Sequence, residues 1–148
     1  MFSLRGKRGL VVGIANDKSI AYGCAKAFHD NGAELAVTYL NAKAEPYVRP
    51  LAEKLSAPIF LPLDVEQPGQ LEALFDTLRS RWGGLDFLVH SIAFAPNEAI
   101  EGDFLEGITR EGFRIAHDIS SYSYPALAKA ARPLLLKGNN PSLLALTY

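Results

Sequence analysis

The sequence contains a single cysteine, Cys24, among its 148 residues. One thiol excludes a disulfide within the chain and fits a reducing compartment. Long apolar runs are also missing: no stretch approaches about 18 consecutive apolar residues, the length that a membrane-spanning helix needs. Residues 1–8 carry charges with no long apolar run after them, which argues against a secretory signal peptide. We therefore expect a cytoplasmic protein without a transmembrane segment.

An excess of charge of either sign is missing as well. The 15 basic and 16 acidic residues give a net charge of −1, and no basic run extends beyond residues 4–8. Nothing in this pattern predicts a nucleic-acid surface. Neither C-x-x-C nor H-E-x-x-H spacing occurs, so we expect no metal site. With 49% apolar and 21% charged residues, the chain has the composition of an ordinary globular domain.

Short apolar runs alternate with amphipathic stretches along the chain. The predicted strands are residues 9–13, 33–39, 57–63, 86–93 and 142–148, and the predicted helices are residues 19–31, 45–55, 71–82 and 111–136. Strands that are apolar throughout and alternate with helices predict an α/β fold, a Rossmann-type doubly wound parallel sheet. We expect residues 1–148 to form one dinucleotide-binding domain, with ligands at the carboxyl ends of the strands.

Three further features stand out in the second half. Residues 94–109 form a loop too long for a simple connection, and such loops at strand ends commonly hold substrate. The helix predicted over residues 111–136 contains Pro125 and Pro133, which predicts a kink or a break. The chain ends at Tyr148, on what reads as a central strand, so we expect a domain truncated after its fifth strand.

The turn after the first strand is the strongest local indication of a ligand. Gly13 ends an apolar run, and Ser19 and Ile20 begin a helix whose N–H groups suit a pyrophosphate. Gly13 permits a backbone conformation that is closed to other residues, and Gly23 predicts close packing of the helix on the sheet. Taken alone, the turn is equally well explained as a structural strand-to-helix connection without a ligand.

The ends of the second and third strands bear on the adenosine part of a cofactor. Asp64 is suited to accept a hydrogen bond from the adenine amine, and the backbone of Val65 to contact the ring; a turn or helix-capping aspartate is the alternative. A carboxylate after the second strand would favour NADH by repelling a 2′-phosphate. Residues 39–41 contain no acid, and Lys43 is the nearest cation, so the residues alone do not decide between NADH and NADPH.

The end of the fourth strand is small and apolar where the sheet should meet a nicotinamide. We expect Ser91 and Ile92 to line the cofactor, and residues 94–96 the substrate entrance. His90 reads as a strand residue with its hydrogen bonds satisfied. His117 and Asp118 are adjacent in a helix and point about 100° apart, so they do not form a catalytic triad with Ser120.

Four segments carry a family resemblance when they are read together. They are the turn Gly13-x5-Ser19-Ile20-Ala21-x-Gly23 and residues 64–65, 90–96 and 109–123. In these segments the chain closely resembles the bacterial enoyl-acyl-carrier-protein reductases, a divergent branch of the short-chain dehydrogenase/reductase superfamily. The long spacing from Gly13 to Ser19 and the composition of residues 91–96 distinguish this branch from ordinary ketone and alcohol reductases. The resemblance covers essentially the whole chain.

The resemblance implies roles for individual residues. Cofactor contacts are implied for Gly13, Ser19, Ile20, Asp64, Val65 and Ile92, and an acyl-substrate contact for Ala95. Leu40 stands at a cofactor position beside the adenosine ribose, where the family commonly has a glutamine; leucine lacks that side-chain hydrogen bond. Tyr148 matches the first of two active-site tyrosines and is the implied catalytic residue, while the second tyrosine and a lysine would lie beyond residue 148.

The implied activity is the NADH-dependent reduction of the trans-2 double bond of enoyl-acyl-carrier-protein, with NADPH not excluded. The implied assembly is a homotetramer, and an incomplete chain is expected to be weakly active. Two alternatives remain. One is a different short-chain reductase acting on a carbonyl, although its serine would be expected near the end of the fifth strand, where Tyr148 stands. The other is a non-catalytic nucleotide-binding module.

Overall fold

The predicted alternation of strands and helices is present in the computed structural model, which describes residues 3–147. The strands are β1 (Arg8–Val12), β2 (Glu34–Tyr39), β3 (Ile59–Pro62), β4 (Phe87–His90) and β5 (Ser142–Ala145). The helices are α1 (Ile20–Asp30), α2 (Glu45–Lys54), α3 (Gln70–Arg81), α4 (Asn97–Ile100), α5 (Phe104–Gly107), α6 (Arg110–His117) and α7 (Ser123–Leu135). Tyr148, the predicted catalytic residue, lies outside the described residues.

The strands form one parallel sheet in the order β3-β2-β1-β4-β5. The strand order reverses at β1, because the chain moves outward from β1 to β3 and then returns to place β4 on the other side. Val11 is in register with Val37 of β2 and with Val89 of β4. The carboxyl ends of β1 and β4 therefore lie side by side at the point of reversal, where doubly wound sheets bind their ligands. The predicted fold class is confirmed.

Helices cover both faces of the sheet. On one face, α3 and α7 bury side chains such as Leu78 and Leu127 against Leu10 and Leu88. On the other face, α1 and α2 pack small and branched residues against the alternate residues of the same strands. This arrangement explains why the central strands are apolar throughout: each residue faces one of two cores. The hydrophobic effect of these two layers holds the strand ends in place.

The long helix predicted over residues 111–136 is present as three consecutive helical segments. A π-helical segment, Asp118–Tyr122, joins α6 to α7 and precedes Pro125. Pro125 is the third residue of α7, directly after the widened turn, and Pro133 lies in the last turn of α7. The helix does not break at either proline; its one irregularity over residues 110–135 is the widened π-helical turn before Pro125. The loop predicted at residues 94–109 contains two single-turn helices, α4 and α5.

The proposed packing role of Gly23 is wrong. Gly23 is exposed, and a Cβ added to it would meet no atom within 4 Å. Ala21 and Ala25 make the contact between α1 and the sheet instead, with both side chains fully buried. Their spacing puts them on one helical face, whereas Gly23 lies between them on another.

The strand β5 lies at one edge of the described sheet, and its four residues are all exposed. Leu143 and Leu144 leave 39% and 48% of their surfaces accessible. No helix in the described part of the chain is long and apolar enough to cross a membrane.

The packing of the core predicts that Leu127 and Leu105 contribute differently to the free energy of unfolding. Leu127→Ala removes a fully buried side chain between α7 and the sheet and should lower the free energy of unfolding by about 2–5 kcal/mol. The matched control is Leu105→Ala in α5, where 77% of the side chain is exposed and the change should stay within about 0.5 kcal/mol. Urea denaturation of both variants measures the difference. Equal losses would contradict this description of the core.

Candidate functional site

A cleft opens at the carboxyl edge of the sheet, where β1, β2, β3 and β4 end. Its volume is about 270 Å³, and we call it the first cleft. Six of the residues predicted to contact a cofactor line this cleft: Gly13, Leu40, Asp64, Val65, Ser91 and Ile92. Ser19 and Ile20 lie outside its wall, at the start of α1. Residues far apart in the sequence thus meet because parallel strands end at a common edge.

Gly13 is fixed by the contact between the ends of β1 and β4. Its φ is +109°, and a Cβ built on it would lie 1.9 Å from the carbonyl oxygen of Ser91. The N–H of Ser91 donates to the carbonyl of Val12, which holds the two chain segments together. A side chain at Gly13 is therefore excluded by the neighbouring backbone as well as by its own conformation.

The start of α1 leaves hydrogen-bond donors free. Ser19 has the extended backbone of an N-cap residue, but its side chain does not cap the helix. Its Oγ instead accepts from the N–H groups of Ala15 and Asn16, at 3.0 and 3.1 Å. The Ser19 hydroxyl proton remains available, and within the described chain the N–H groups of Ile20 and Ala21 have no acceptor. These three donors suit an anion.

Asp64 has a structural role and an unused oxygen. Its Oδ1 accepts from the N–H of Glu66 at 3.0 Å, and its own N–H donates to the side chain of Gln70 at 2.8 Å. The turn explanation raised from the sequence is therefore correct for one oxygen. Asp64 does not cap α3, because Gly69 stands at that helix start. Within residues 3–147, no hydrogen bond is made by Oδ2, which leaves an acceptor at the cleft wall.

The end of β2 presents an apolar surface to the first cleft. Leu40 lines it with 53% of its surface exposed. The side chain of Asn41 is committed to its own turn, where Oδ1 accepts from the N–H groups of Lys43 and Ala44. Neither residue offers a free side-chain acceptor to a ribose, in contrast to the usual acidic residue of dinucleotide sites.

A second cleft, of about 430 Å³, adjoins the first beyond the end of β4. Ala95, the predicted substrate contact, lies in its wall together with Ser121 and Tyr124. Ile92, Ala93 and Phe94 line both clefts. The segment 92–95 is therefore a partition between the two spaces, and a molecule in one cleft would approach a molecule in the other across it.

A buried hydrogen-bond chain lies beneath the second cleft. Ser123 Oγ donates to the carbonyl of Ile119 at 2.5 Å and lies 2.7 Å from His90 Nε2. Because the serine proton is already used, the imidazole must be the donor, so its proton is on Nε2. His90 is 2% exposed, and burial holds its pKa below the ordinary value of 6.5. The histidine is thus a neutral structural residue, as the sequence indicated.

Comparison with known proteins identifies the family. The model of the family described as "Enoyl-(Acyl carrier protein) reductase" matches residues 13–148, most of the chain. The chain belongs to this family. The resemblance drawn from the four sequence segments is therefore confirmed, and the clefts can be considered in the light of related proteins.

Curated relatives are similar over nearly all of this chain. The enoyl-[acyl-carrier-protein] reductase [NADH] FabI of Neisseria meningitidis serogroup B is 50% identical over 145 residues, which are 98% of this chain and 55% of the relative. The Escherichia coli K12 protein of the same name is 48% identical with the same coverage. The chain spans about half the length of the curated relatives it matches.

Solved structures share the fold. The enoyl-[acyl-carrier-protein] reductase (NADH) of Aquifex aeolicus VF5 superimposes with a TM-score of 0.92 at 44% identity, covering 98% of this chain and 57% of that one. The reductase of Anaplasma phagocytophilum, solved in complex with NAD, gives a TM-score of 0.91 at 39% identity, with 98% and 54% covered.

Several residues at the two clefts have no signal in the sequence that would assign them to a site. Thr38, Leu63 and Ile119 line the first cleft, and Ser120 makes two hydrogen bonds to Phe94. Their apolar or small side chains fit any strand or helix, so no local pattern could have singled them out. His117 stacks on Phe113, with ring centroids 4.7 Å apart, and Ser120 bonds to the backbone of Phe94.

Within residues 3–147, no group of three or more His, Cys, Asp or Glu side chains lies close enough together to hold a metal ion.

The close contact between Gly13 and the Ser91 carbonyl predicts that a side chain at position 13 would cost more stability than backbone strain alone. Gly13→Ala should lower the free energy of unfolding by about 3 kcal/mol or more, because the strand ends must separate. Gly102→Ala is the matched control: its φ is +77° but its surroundings are open, so only about 1–2 kcal/mol of strain is expected. Chemical denaturation compares the two, and equal losses would refute the steric explanation.

Burial of His90 predicts a pH dependence of stability. Because its pKa is lower in the folded than in the unfolded state, the unfolded chain binds more protons just below pH 6.5. The neutral imidazole contributes fully to the free energy of unfolding above pH 6.5. Below pH 6.5 this free energy falls with decreasing pH, by at most about 1.4 kcal/mol per pH unit.

The variant His90→Gln is the control, since its amide can still donate to Ser123 but does not titrate. Thermal denaturation of both proteins from pH 7.5 to 5 should show a difference in melting temperature that changes with pH. Parallel profiles would contradict the assignment of a buried neutral imidazole.

Proposed function

We propose that this chain forms the cofactor-binding half of an NADH-dependent enoyl-acyl-carrier-protein reductase. The observation that carries the proposal is the first cleft, where Gly13, Asp64 and Ile92 converge at the reversal of strand order. Membership of the reductase family supports the reaction, and the names of the curated relatives support the cofactor.

The free polar groups support one orientation for a dinucleotide in this cleft. Oδ2 of Asp64 suits the adenine amine, and Val65 lies beside it for the ring. The pyrophosphate belongs at the start of α1, because the Ser19 hydroxyl and the N–H groups of Ile20 and Ala21 are donors with a favourable helix dipole. Ser91 and Ile92 then lie beside the nicotinamide end, next to the second cleft.

NADH is the proposed cofactor in preference to NADPH. The curated relatives carry NADH in their names, and the Anaplasma phagocytophilum enzyme was solved with NAD. The residues after β2 contribute little to this preference, because Leu40 is apolar and Asn41 is occupied by its turn. The apolar surface at Leu40 offers no partner to a charged 2′-phosphate, although Lys43 is nearby in the sequence.

The second cleft is the proposed site of the enoyl thioester. The bound cofactor would supply a hydride to the β-carbon of the double bond. Negative charge then develops on the thioester oxygen, which needs a hydrogen-bond donor before the α-carbon is protonated. Tyr148 is proposed to contribute at this point, and the small side chain of Ala95 leaves room for the acyl chain.

The partners and location follow from the same proposal. An acyl-carrier-protein would present the substrate, and the complete protein would be a cytoplasmic homotetramer. Phe113 on α6, with 57% of its surface exposed, is an apolar side chain suited to a subunit contact.

Isothermal titration calorimetry of this chain with NADH and with NADPH tests the proposal. We expect saturable binding of NADH, weaker binding of NADPH and slow oxidation of NADH by a crotonyl thioester. Absence of NADH binding by a chain with a cooperative melt would refute the proposal. Faster reduction of an acetoacetyl than of a crotonyl thioester would favour the alternative carbonyl reductase. Binding without either reaction would favour a nucleotide-binding module.

Asp64→Asn tests the adenine contact separately from the turn. The amide oxygen can still accept from the N–H of Glu66, so stability should change by less than about 0.5 kcal/mol. The amide nitrogen then replaces the free acceptor, and NADH affinity should fall about tenfold. Calorimetry and a thermal melt measure the two effects. Unchanged affinity would leave Asp64 with its turn role alone.

A further inference from the structure

Ser120 makes a reciprocal pair of hydrogen bonds with the backbone of Phe94. Its Oγ accepts from the Phe94 N–H at 2.9 Å and donates to the Phe94 carbonyl at 3.0 Å. Within the described chain, these are the only hydrogen bonds made by the backbone of residues 92–95. One side chain, 26 residues away in the sequence, therefore makes all the backbone hydrogen bonds that the described structure shows for the partition between the two clefts.

The π-helical segment gives Ser120 a rigid base. Ile119 is 9% exposed, and its carbonyl accepts from Ser123, whose oxygen in turn accepts from His90. A serine within a helix commonly bonds to a carbonyl one turn earlier, as Ser123 does. Ser120 instead directs both of its hydrogen bonds out of the helix to Phe94, and π-helical turns often occur at such functional positions.

The partition separates the space assigned to the cofactor from the space assigned to the substrate. Ile92, Ala93 and Phe94 line both clefts, and Ala95 lies in the second. Phe94 itself leaves 49% of its surface exposed, so the packing of its ring does little to fix the segment. Ile92 packs against the core and anchors the start of the segment, so the two hydrogen bonds with Ser120 are what fix the exposed part of the partition at Phe94.

We propose that Ser120 is a positioning residue that orders residues 92–95 and thereby sets the affinity of the first cleft for the dinucleotide. This role rests on the proposed function. Ser120 acts through the backbone of Phe94 and needs no direct contact with the cofactor or the substrate.

The experiment measures amide exchange at Phe94 and the dissociation constant for NADH in the same 148-residue chain. Ser120→Ala removes both hydrogen bonds, and we expect about tenfold faster exchange at Phe94 and several-fold weaker NADH binding. The amide of Leu88 within β4 should exchange as in the unchanged chain. Ser120→Thr keeps the hydroxyl and should restore both values.

Two further variants complete the set. Ser80→Ala removes an exposed hydroxyl that bonds only within α3, and it should change neither value. Ser120→Cys keeps a side chain of similar shape with a much weaker donor, so it provides the same test if the alanine variant does not fold.

Unchanged exchange at Phe94 in the alanine or cysteine variant would overturn the inference. Faster exchange with unchanged NADH affinity would overturn the link to binding. Both results differ from failure of the proposed function, in which the unchanged chain itself does not bind NADH.

Discussion

The close approach of β1 and β4 at their carboxyl ends is the constraint on which the site depends. The carbonyl of Ser91 occupies the space where a Cβ of Gly13 would stand, and the Ser91 N–H bonds to Val12. This contact brings the turn before α1 against the segment that follows β4. The two apolar layers on either side of the sheet keep the strands in the register that the contact requires.

The two clefts beside this contact differ in the polar groups that they offer to a ligand. The first cleft has a mainly apolar wall that carries the unused oxygen of Asp64, and the donors at the start of α1 lie outside this wall. The second cleft is lined in part by a buried histidine, His90, whose Nε2 is hydrogen-bonded to Ser123. A molecule that is polar at its adenine and phosphate groups and reactive at one end matches this division, which is the physical basis for proposing a nicotinamide dinucleotide.

The π-helical segment between α6 and α7 connects the core to the partition. His90 is buried at the end of β4, and hydrogen bonds run from it through Ser123 to the carbonyl of Ile119. Ser120, the next residue, bonds outward to Phe94. A regular helix through residues 118–122 would present these side chains at a different spacing, so the widened turn matters to the site and is more than an irregularity at the prolines.

The sequence by itself determined the fold class, the order of elements and the residues at the strand ends, because hydrophobic periodicity and turn residues are local. It also marked Gly13 and Asp64, whose residue types stand out at the end of an apolar run. Only the tertiary structure decided which polar groups remain free: the Ser19 oxygen is used by its own loop, and Asp64 shares its carboxylate with a turn. The bonds from Ser120 to Phe94 left no trace in the sequence, since a hydrogen bond between distant segments depends on how helices pack against the sheet.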